Sequence, residues 1–356
     1  MRLLFILSGL GGLALSALSL ARRKMDGALC VVWGLCSFAL ILAGCLLPPL
    51  RLSGRGLALA VLAVLSLETA AYRASVELSR LLRRVRETAM QVSILQLENE
   101  RLRNGAEGRT KKDLLVVIPA YNEEGRIGKL LAGLREAGTE AFADILVIDD
   151  GSKDRTRQEA EAVGCLCLSG IYNQGYGTAL QMGYQYALRK GYSYVVQMDA
   201  DGQHDVCNVA KLYEALREPD DSGQAPDIVL GSRFLPGGRS FRLSLPRMAG
   251  IRLFRALILR TTGRRITDPT TGLQGLNREA LRACARYDFF EGTCPDANMI
   301  IQMLLSGYRI REIPAVMYAR ESGKSMHAGL EPAAYAIRMA FSLSAVFIRE
   351  KLLGRE

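Results

Sequence analysis

The sequence predicts an α/β domain with a mainly parallel sheet, preceded by an all-α transmembrane domain. Three observations carry this. Residues 1–72 are mostly apolar, in three long runs almost free of charge, while the chain after Ser75 has the composition of soluble protein. From Asp113 onward, short runs rich in Val, Ile and Leu alternate with helical stretches, the pattern of parallel strands joined by crossover helices. Over the 356 residues, 49% are hydrophobic and 23% charged, which excludes a disordered or fibrous chain.

The apolar runs are residues 3–21, 27–50 and 56–72, the last interrupted by Glu68. A helix needs about 20 residues to cross the hydrocarbon core, so the first two suffice and the third is marginal. The first run ends in Ala-Leu-Ser-Leu-Ala, which has the look of a signal-peptide cleavage site, but two more apolar runs follow directly and favour a retained span. Arg22, Arg23 and Lys24 follow the first run, and Arg73, Arg80, Arg83, Arg84 and Arg86 follow the third; Arg2, Arg51 and Arg55 lie on the other side. The positive-inside rule then puts the N-terminus outside and the long C-terminal part in the cytoplasm. Glu68 is costly in lipid and should face another helix or sit near the interface.

Charge is unevenly spread. The formal net charge is +10, but residues 1–110 hold 14 Lys/Arg against 7 Asp/Glu, whereas residues 111–356 hold 32 against 29. The excess flanks the apolar runs, as at the cytoplasmic edge of a membrane protein, and no nucleic-acid partner is expected. The eight cysteines have neither zinc-site nor disulfide-framework spacing, which fits reduced thiols in a cytosolic compartment.

Residues 75–103 predict a helix. Leu78, Val85, Val92 and Asn99 share one heptad position, and Leu81, Thr88, Leu95 and Leu102 the other. Six of these eight are apolar, which suggests a short coiled coil and a homo-oligomer, or else an amphipathic helix packed on its own domain or on the membrane. A linker at residues 104–108 follows. The expected organisation is a transmembrane domain at 1–74, a helical stalk and linker at 75–110, an α/β domain at 111–328, and an amphipathic interfacial helix within 329–356, where Arg338 and Arg349 make the segment too charged to span.

In the α/β domain, residues 114–118, 145–148, 194–198 and 228–230 predict strands, and 124–136, 154–162 and 177–190 predict helices. Ligands bind such sheets beyond the carboxyl ends of the strands. Pro119-Ala-Tyr121-Asn122-Glu123-Glu124 follows the first strand, Asp149-Asp150-Gly151-Ser152-Lys153-Asp154 the second and Asp199-Ala-Asp201-Gly202-Gln203-His204 the third. Asn173-Gln174-Gly175-Tyr176-Gly177 opens the helix between the last two. Each alone reads as a turn or a helix cap; the four in this order are far more specific.

In order and wording these motifs resemble the family 2 glycosyltransferases, over roughly residues 114–326, and above all the branch that makes polyprenyl-phosphate sugars. The resemblance implies a Rossmann-like A-type glycosyltransferase domain. It implies that Pro119, Tyr121, Glu123 and Asp150 hold the nucleotide, and that Asp199 and Asp201, with Gln203 nearby, hold Mg²⁺ or Mn²⁺ on the diphosphate of a UDP- or GDP-sugar. Hard oxygen ligands suit those ions, which bridge to substrate phosphates. His204 is either a further ligand or a packing residue.

From Arg233 to Arg265 there are nine arginines and no acid. The segment 243–259 is also amphipathic, which suits a membrane surface and a phosphate carried on lipid. The family resemblance assigns Arg233 and Arg247 to the acceptor phosphate, and Asp201, Arg233 and Arg247 to catalysis. It also places Arg320 and Lys324 at the donor diphosphate. Asp268-Pro-Thr-Thr271-Gly272-Leu-Gln274 resembles the family's Asp-x-x-Ser-Gly-Phe-Arg, with Thr for Ser and Gln for Arg. Asp268 would orient a sugar hydroxyl or cap a helix.

The activity so implied is a membrane-bound, inverting, metal-dependent transfer of a hexose to a polyprenyl phosphate on the cytoplasmic face. Processive polysaccharide synthases are excluded, because they need Gln-x-x-Arg-Trp and the single tryptophan is Trp33 in an apolar run. Two alternatives stand beside this activity. One is transfer to a sugar hydroxyl of a lipid-linked oligosaccharide, with Asp296 or Asp268 as base. The other is a non-catalytic membrane scaffold, which the intact Asp-x-Asp opposes.

Overall fold

The computed structural model describes residues 2–21, 24–46, 54–103, 111–241, 243–286 and 297–319. Several sequence expectations lie outside them: Arg22, Arg23 and Arg51, the linker at 104–108, Asp296, Arg320, Lys324 and the terminal helix.

The first unit is helical. Helices α1 (Arg2–Ala21), α2 (Gly27–Leu46) and α3 (Gly54–Arg103) are 20, 20 and 50 residues long. All three are long and apolar enough to cross a membrane. Where α1 meets α2, small residues let the backbones close. A Cβ on Gly9 would lie 2.5 Å from the Ser37 carbonyl oxygen, and one on Gly44 2.9 Å from that of Arg2. The polar side chains are spent on neighbouring helices. Ser8 donates to the Glu68 carboxylate, so that acid does face another helix. Ser19 meets Tyr72 at 2.8 Å, and the Trp33 Nε1–H donates to Ser75 at 3.0 Å.

Helix α3 does not break near residue 74. No glycine or proline occurs from residue 57 to 103, so nothing stops the apolar span from running on into the polar stalk. The compact units divide instead between Arg86 and Glu87. In the second unit, Ala89, Met90, Ser93, Ile94 and Leu97 are buried. That stretch is laced to a helix of the α/β domain, α6 (Tyr176–Lys190). Gln91 donates to Gln185 at 2.7 Å, Arg101 to the Tyr186 hydroxyl at 2.7 Å, and Lys190 pairs with Glu98 at 2.9 Å.

The α/β domain is built on a seven-stranded sheet in the order β3-β2-β1-β4-β6-β5-β7. The strands are β1 (Leu114–Ala120), β2 (Ala143–Asp149), β3 (Leu166–Ser169), β4 (Tyr194–Gln197), β5 (Ile228–Ser232), β6 (Gln274–Asn277) and β7 (Ile310–Pro314). Only β6 runs antiparallel to its neighbours. Strand β1 is buried along its whole length, as an all-apolar strand between two parallel partners must be. Helices α4 (Ile127–Glu136), α5 (Thr156–Ala162) and α7 (Asn208–Arg217) join α6 on the sheet, followed by α8 (Leu245–Thr262), α9 (Arg278–Ala285) and α10 (Ala297–Leu305). Leu130, Leu134, Val147, Val196, Leu212 and Val229 lie in the main core.

The fully buried Ile94 side chain makes α3 part of the α/β fold. Ile94→Ala should cost about 2–5 kcal/mol by cavity formation, seen as a lower thermal midpoint. Gln96→Ala, on the exposed side of the same helix, should leave the midpoint within experimental scatter.

Candidate active site

The turns that follow β1, β2 and β4, with the entry to α6, are stitched into one edge. Asn122 has a left-handed backbone (φ 54°) and links the first two turns in both directions. Its N–H donates to the Ser152 hydroxyl at 3.0 Å, and its side-chain oxygen accepts from the Lys153 N–H at 2.9 Å. The Glu123 N–H donates to Thr156, and Arg155 donates to the Glu124 carboxylate at 2.7 Å. Arg126 holds the Glu123 carboxylate at 2.5 Å. Pro119 lies within β1, and the Tyr121 ring is exposed beyond it.

Asp150 joins the second turn to the third. Its carboxylate is buried and accepts the N–H groups of Gln174 at 2.8 Å and Gly175 at 2.7 Å, at the start of α6. Burial raises its pKa to about 6, against the lowering by those two hydrogen bonds. Gly151 is required beside it. Its φ is +68°, and a Cβ there would lie 2.8 Å from the Tyr172 carbonyl carbon.

Tyr176 joins the third turn to the fourth, its hydroxyl donating to Asp199 Oδ1 at 2.8 Å. The other Asp199 oxygen faces His204 Nε2 at 3.7 Å, while His204 Nδ1 accepts the Asp199 N–H at 3.2 Å. His204 is buried and its Nδ1 is taken by the Asp199 N–H, so it packs against Asp199. A Cβ on Gly272 would lie 2.5 Å from Asp199 Oδ2, so the carboxylate occupies room that only a glycine leaves. Asp201 accepts the Gln203 N–H at 3.0 Å, and the Gln203 amide donates to the Tyr318 carbonyl at 3.3 Å. Among the described residues no group of three or more His, Cys, Asp or Glu could enclose a metal. Two carboxylates at one edge fit a hard divalent cation that takes its remaining ligands from water and a substrate diphosphate.

The antiparallel strand β6 supplies the rest. Its first residue, Gln274, pairs with Gln197 of β4 and Leu230 of β5, near those strands' carboxyl ends, so residues 268–272 arrive at the same edge. Asp268 neither caps a helix nor stands open to a sugar. It is fully buried and grips Arg233, accepting from Nε at 2.6 Å and from Nη2 at 2.7 Å, and Nη2 also donates to Thr270 at 3.0 Å. Glu312 of β7 braces this loop by accepting the N–H groups of Thr267 and Asp268 at 2.7 and 2.9 Å. The acid-free run of arginines is thus neutralised at its first member by an acid 35 residues away in sequence. Arg247 is exposed on α8. Gln274 donates to the Thr271 carbonyl at 2.9 Å and is buried, so it serves the loop.

The fold therefore brings Tyr121, Glu123, Asp150, Asp199, Asp201 and Gln203 along one stitched edge and ties Arg233 to Asp268. Sequence reasoning missed Tyr176, Gly272, Thr270, Glu312 and Tyr318. Tyr176 and Gly272 lie inside motifs already singled out, but nothing in one dimension sets either against Asp199.

The chain is similar to known proteins. The family model described as Glycosyl transferase family 2 matches residues 115–284. An undecaprenyl-phosphate mannosyltransferase of Micrococcus luteus is 33% identical over 61% of this chain and 88% of its own. A dolichyl-phosphate hexose transferase of Haloferax volcanii is 29% identical over 68% of this chain and 97% of its own. Among solved structures, glucosyl-3-phosphoglycerate synthase from Mycobacterium tuberculosis with uridine diphosphate has a TM-score of 0.47 at 21% identity, over 74% of this chain and 90% of its own.

Removing one partner of a buried ion pair strands the other charge. Asp268→Ala should cost about 3–5 kcal/mol of stability. The double variant Arg233→Met with Asp268→Leu should recover most of it, both read as denaturation midpoints.

Proposed function

The chain belongs to glycosyl transferase family 2, and from that premise we propose that it transfers a hexose from a UDP- or GDP-sugar to a polyprenyl phosphate. We place the reaction on the cytoplasmic face of a membrane, with inversion at the anomeric carbon. The observation that carries the reading is the stitched edge at the carboxyl ends of β1, β2 and β4, with Asp199 and Asp201 at one end and Asp150 at the other. The named relatives that transfer sugars to undecaprenyl or dolichyl phosphate support the acceptor.

In this reading Pro119, Tyr121, Glu123 and Asp150 hold the nucleotide. The exposed Tyr121 ring offers a face to the base, and the Asp150 carboxylate keeps lone pairs for base or ribose hydrogens beyond the two backbone donors. Arg320 and Lys324 belong to the donor diphosphate. Asp199 and Asp201, with Gln203 beside them, would hold Mg²⁺ or Mn²⁺, which when bound neutralises charge on the departing diphosphate. Tyr176, His204 and Gly272 keep Asp199 in one rotamer for that role.

An acceptor phosphate oxygen attacks the anomeric carbon. The new carbon–oxygen bond forms as the bond to the diphosphate breaks, and the nucleoside diphosphate leaves with the electron pair. The phosphate is already an anion, so no base is needed. Asp268, the described candidate for a base, is committed to Arg233, which disfavours a sugar-hydroxyl acceptor. Arg233, held rigid by that pair, has Nη1 left for the acceptor, and Arg247 lends a second cation from α8. Positioning of this kind is worth several kcal/mol.

A panel of UDP- and GDP-sugars with undecaprenyl phosphate, read by mass spectrometry, should give a sugar-phosphate-lipid of inverted anomeric configuration, labile to mild acid. A product stable to mild acid would overturn the phosphate acceptor, and a retained configuration the single displacement. Asp201→Ala should abolish turnover. The raised Asp150 pKa sets a pH dependence: below about 6 the carboxyl is protonated and loses acceptor capacity, so nucleotide affinity should rise as pH climbs through 6. In Asp150→Asn, calorimetry should find that rise gone.

A further inference from the structure

We propose that helix α3 pairs with the same helix of a second copy as a parallel, in-register, two-stranded coiled coil over residues 78–102, so that the protein is a homodimer. Helix α3 has two apolar faces. One is seated on its own domain through Ala89, Met90, Ile94 and Leu97. At 100° per residue the heptad stripe lies about 160° around the helix from that face. All eight stripe residues are exposed, with Leu81 at 57%, Val85 at 55%, Leu95 at 49% and Leu102 at 53%. Packing onto its own domain therefore leaves the stripe untouched. Isolated exposed leucines are ordinary, but six apolar side chains in one line are, among the described residues, an unpartnered face.

The identity of the residues names the partner. The first heptad position holds Leu78, Val85, Val92 and Asn99, and the second holds Leu81, Thr88, Leu95 and Leu102. β-branched residues at the first and leucine at the second favour two parallel strands, and one asparagine at the first position fixes register by pairing with its counterpart. In that register the flanking pairs are Arg84 with Ala89, Gln91 with Gln96 and Glu98 with Arg103, so no like charges oppose, although Gln91 and Glu98 already bond to α6 of their own domain. The apolar first half of the same helix would place both copies in one membrane, which enforces the parallel sense and raises the effective concentration.

The test uses the full-length protein in detergent or nanodiscs. Light scattering should give a protein mass twice that of one chain. Leu95→Cys should form a disulfide-linked dimer on mild oxidation, well above the parent protein with its native cysteines, because this position faces its counterpart across the seam. Glu100→Cys, exposed on the same helix but off the stripe, should not exceed the parent. Val92→Lys combined with Leu95→Lys, both on the exposed face, should elute as a monodisperse monomer. A monomeric parent, whose stripe is then bare or covered by residues 335–352 of its own chain, would overturn the proposal. So would cross-linking of Glu100→Cys equal to that of Leu95→Cys, or a dimer that survives the two lysines. None of these readouts depends on transferase activity.

Discussion

Strand β1 has a parallel partner on each side, so its backbone groups are spent within the sheet and β1, β2 and β4 all end at one edge. Parallel strands need crossovers on the faces, which leaves that edge open for turns. Each turn is then fixed to the next by a hydrogen bond that the sheet's spacing makes possible. Asn122 reaches Ser152, Asp150 reaches Gln174 and Gly175, and Tyr176 reaches Asp199. The cost is concentrated at Asp150, a carboxylate buried among backbone donors with its pKa pushed up to about 6.

The antiparallel strand β6 has a different use. Reversing direction brings the loop that precedes it to the same edge, with Gly272 against Asp199 and Asp268 on Arg233. A bidentate pair this deeply buried is weak evidence for stability, since well-packed apolar residues often replace such pairs without loss. Its effect here is on geometry and charge. It holds one guanidinium still and cancels its charge locally.

The basic balance of the chain can thus be divided by role. Part flanks the apolar helices, where Asp26 pairs with Arg86 at 3.3 Å. Part is neutralised inside the α/β domain. Along α8, Arg247 is exposed and Arg255 donates to the Thr267 carbonyl.

The strands β1, β2, β4 and β5 were legible because runs of buried Val, Ile and Leu admit one reading between turn residues, and the apolar helices because a span must be long and uncharged. Strand β3 was not, being four residues at a sheet edge, nor was β6, whose Gln-Gly-Leu-Asn has no β-rich signature and owes its place to its neighbours. The four motifs were legible as local chemistry at strand ends. Their linkage was not, since Tyr176 to Asp199 and Arg233 to Asp268 join residues 23 and 35 positions apart with no periodic relation. The heptad of α3 was written in the sequence, but not which face would be covered. By itself the sequence determined the apolar helices, strands β1, β2, β4 and β5, the motifs and the family, because those depend on side-chain periodicity and turn chemistry along the chain. The tertiary structure alone decided that Asp268 serves Arg233, that Asp150 ties two turns together, and that α3 sits on its domain by the face opposite its heptads, because burial and hydrogen-bond geometry exist only once distant segments meet.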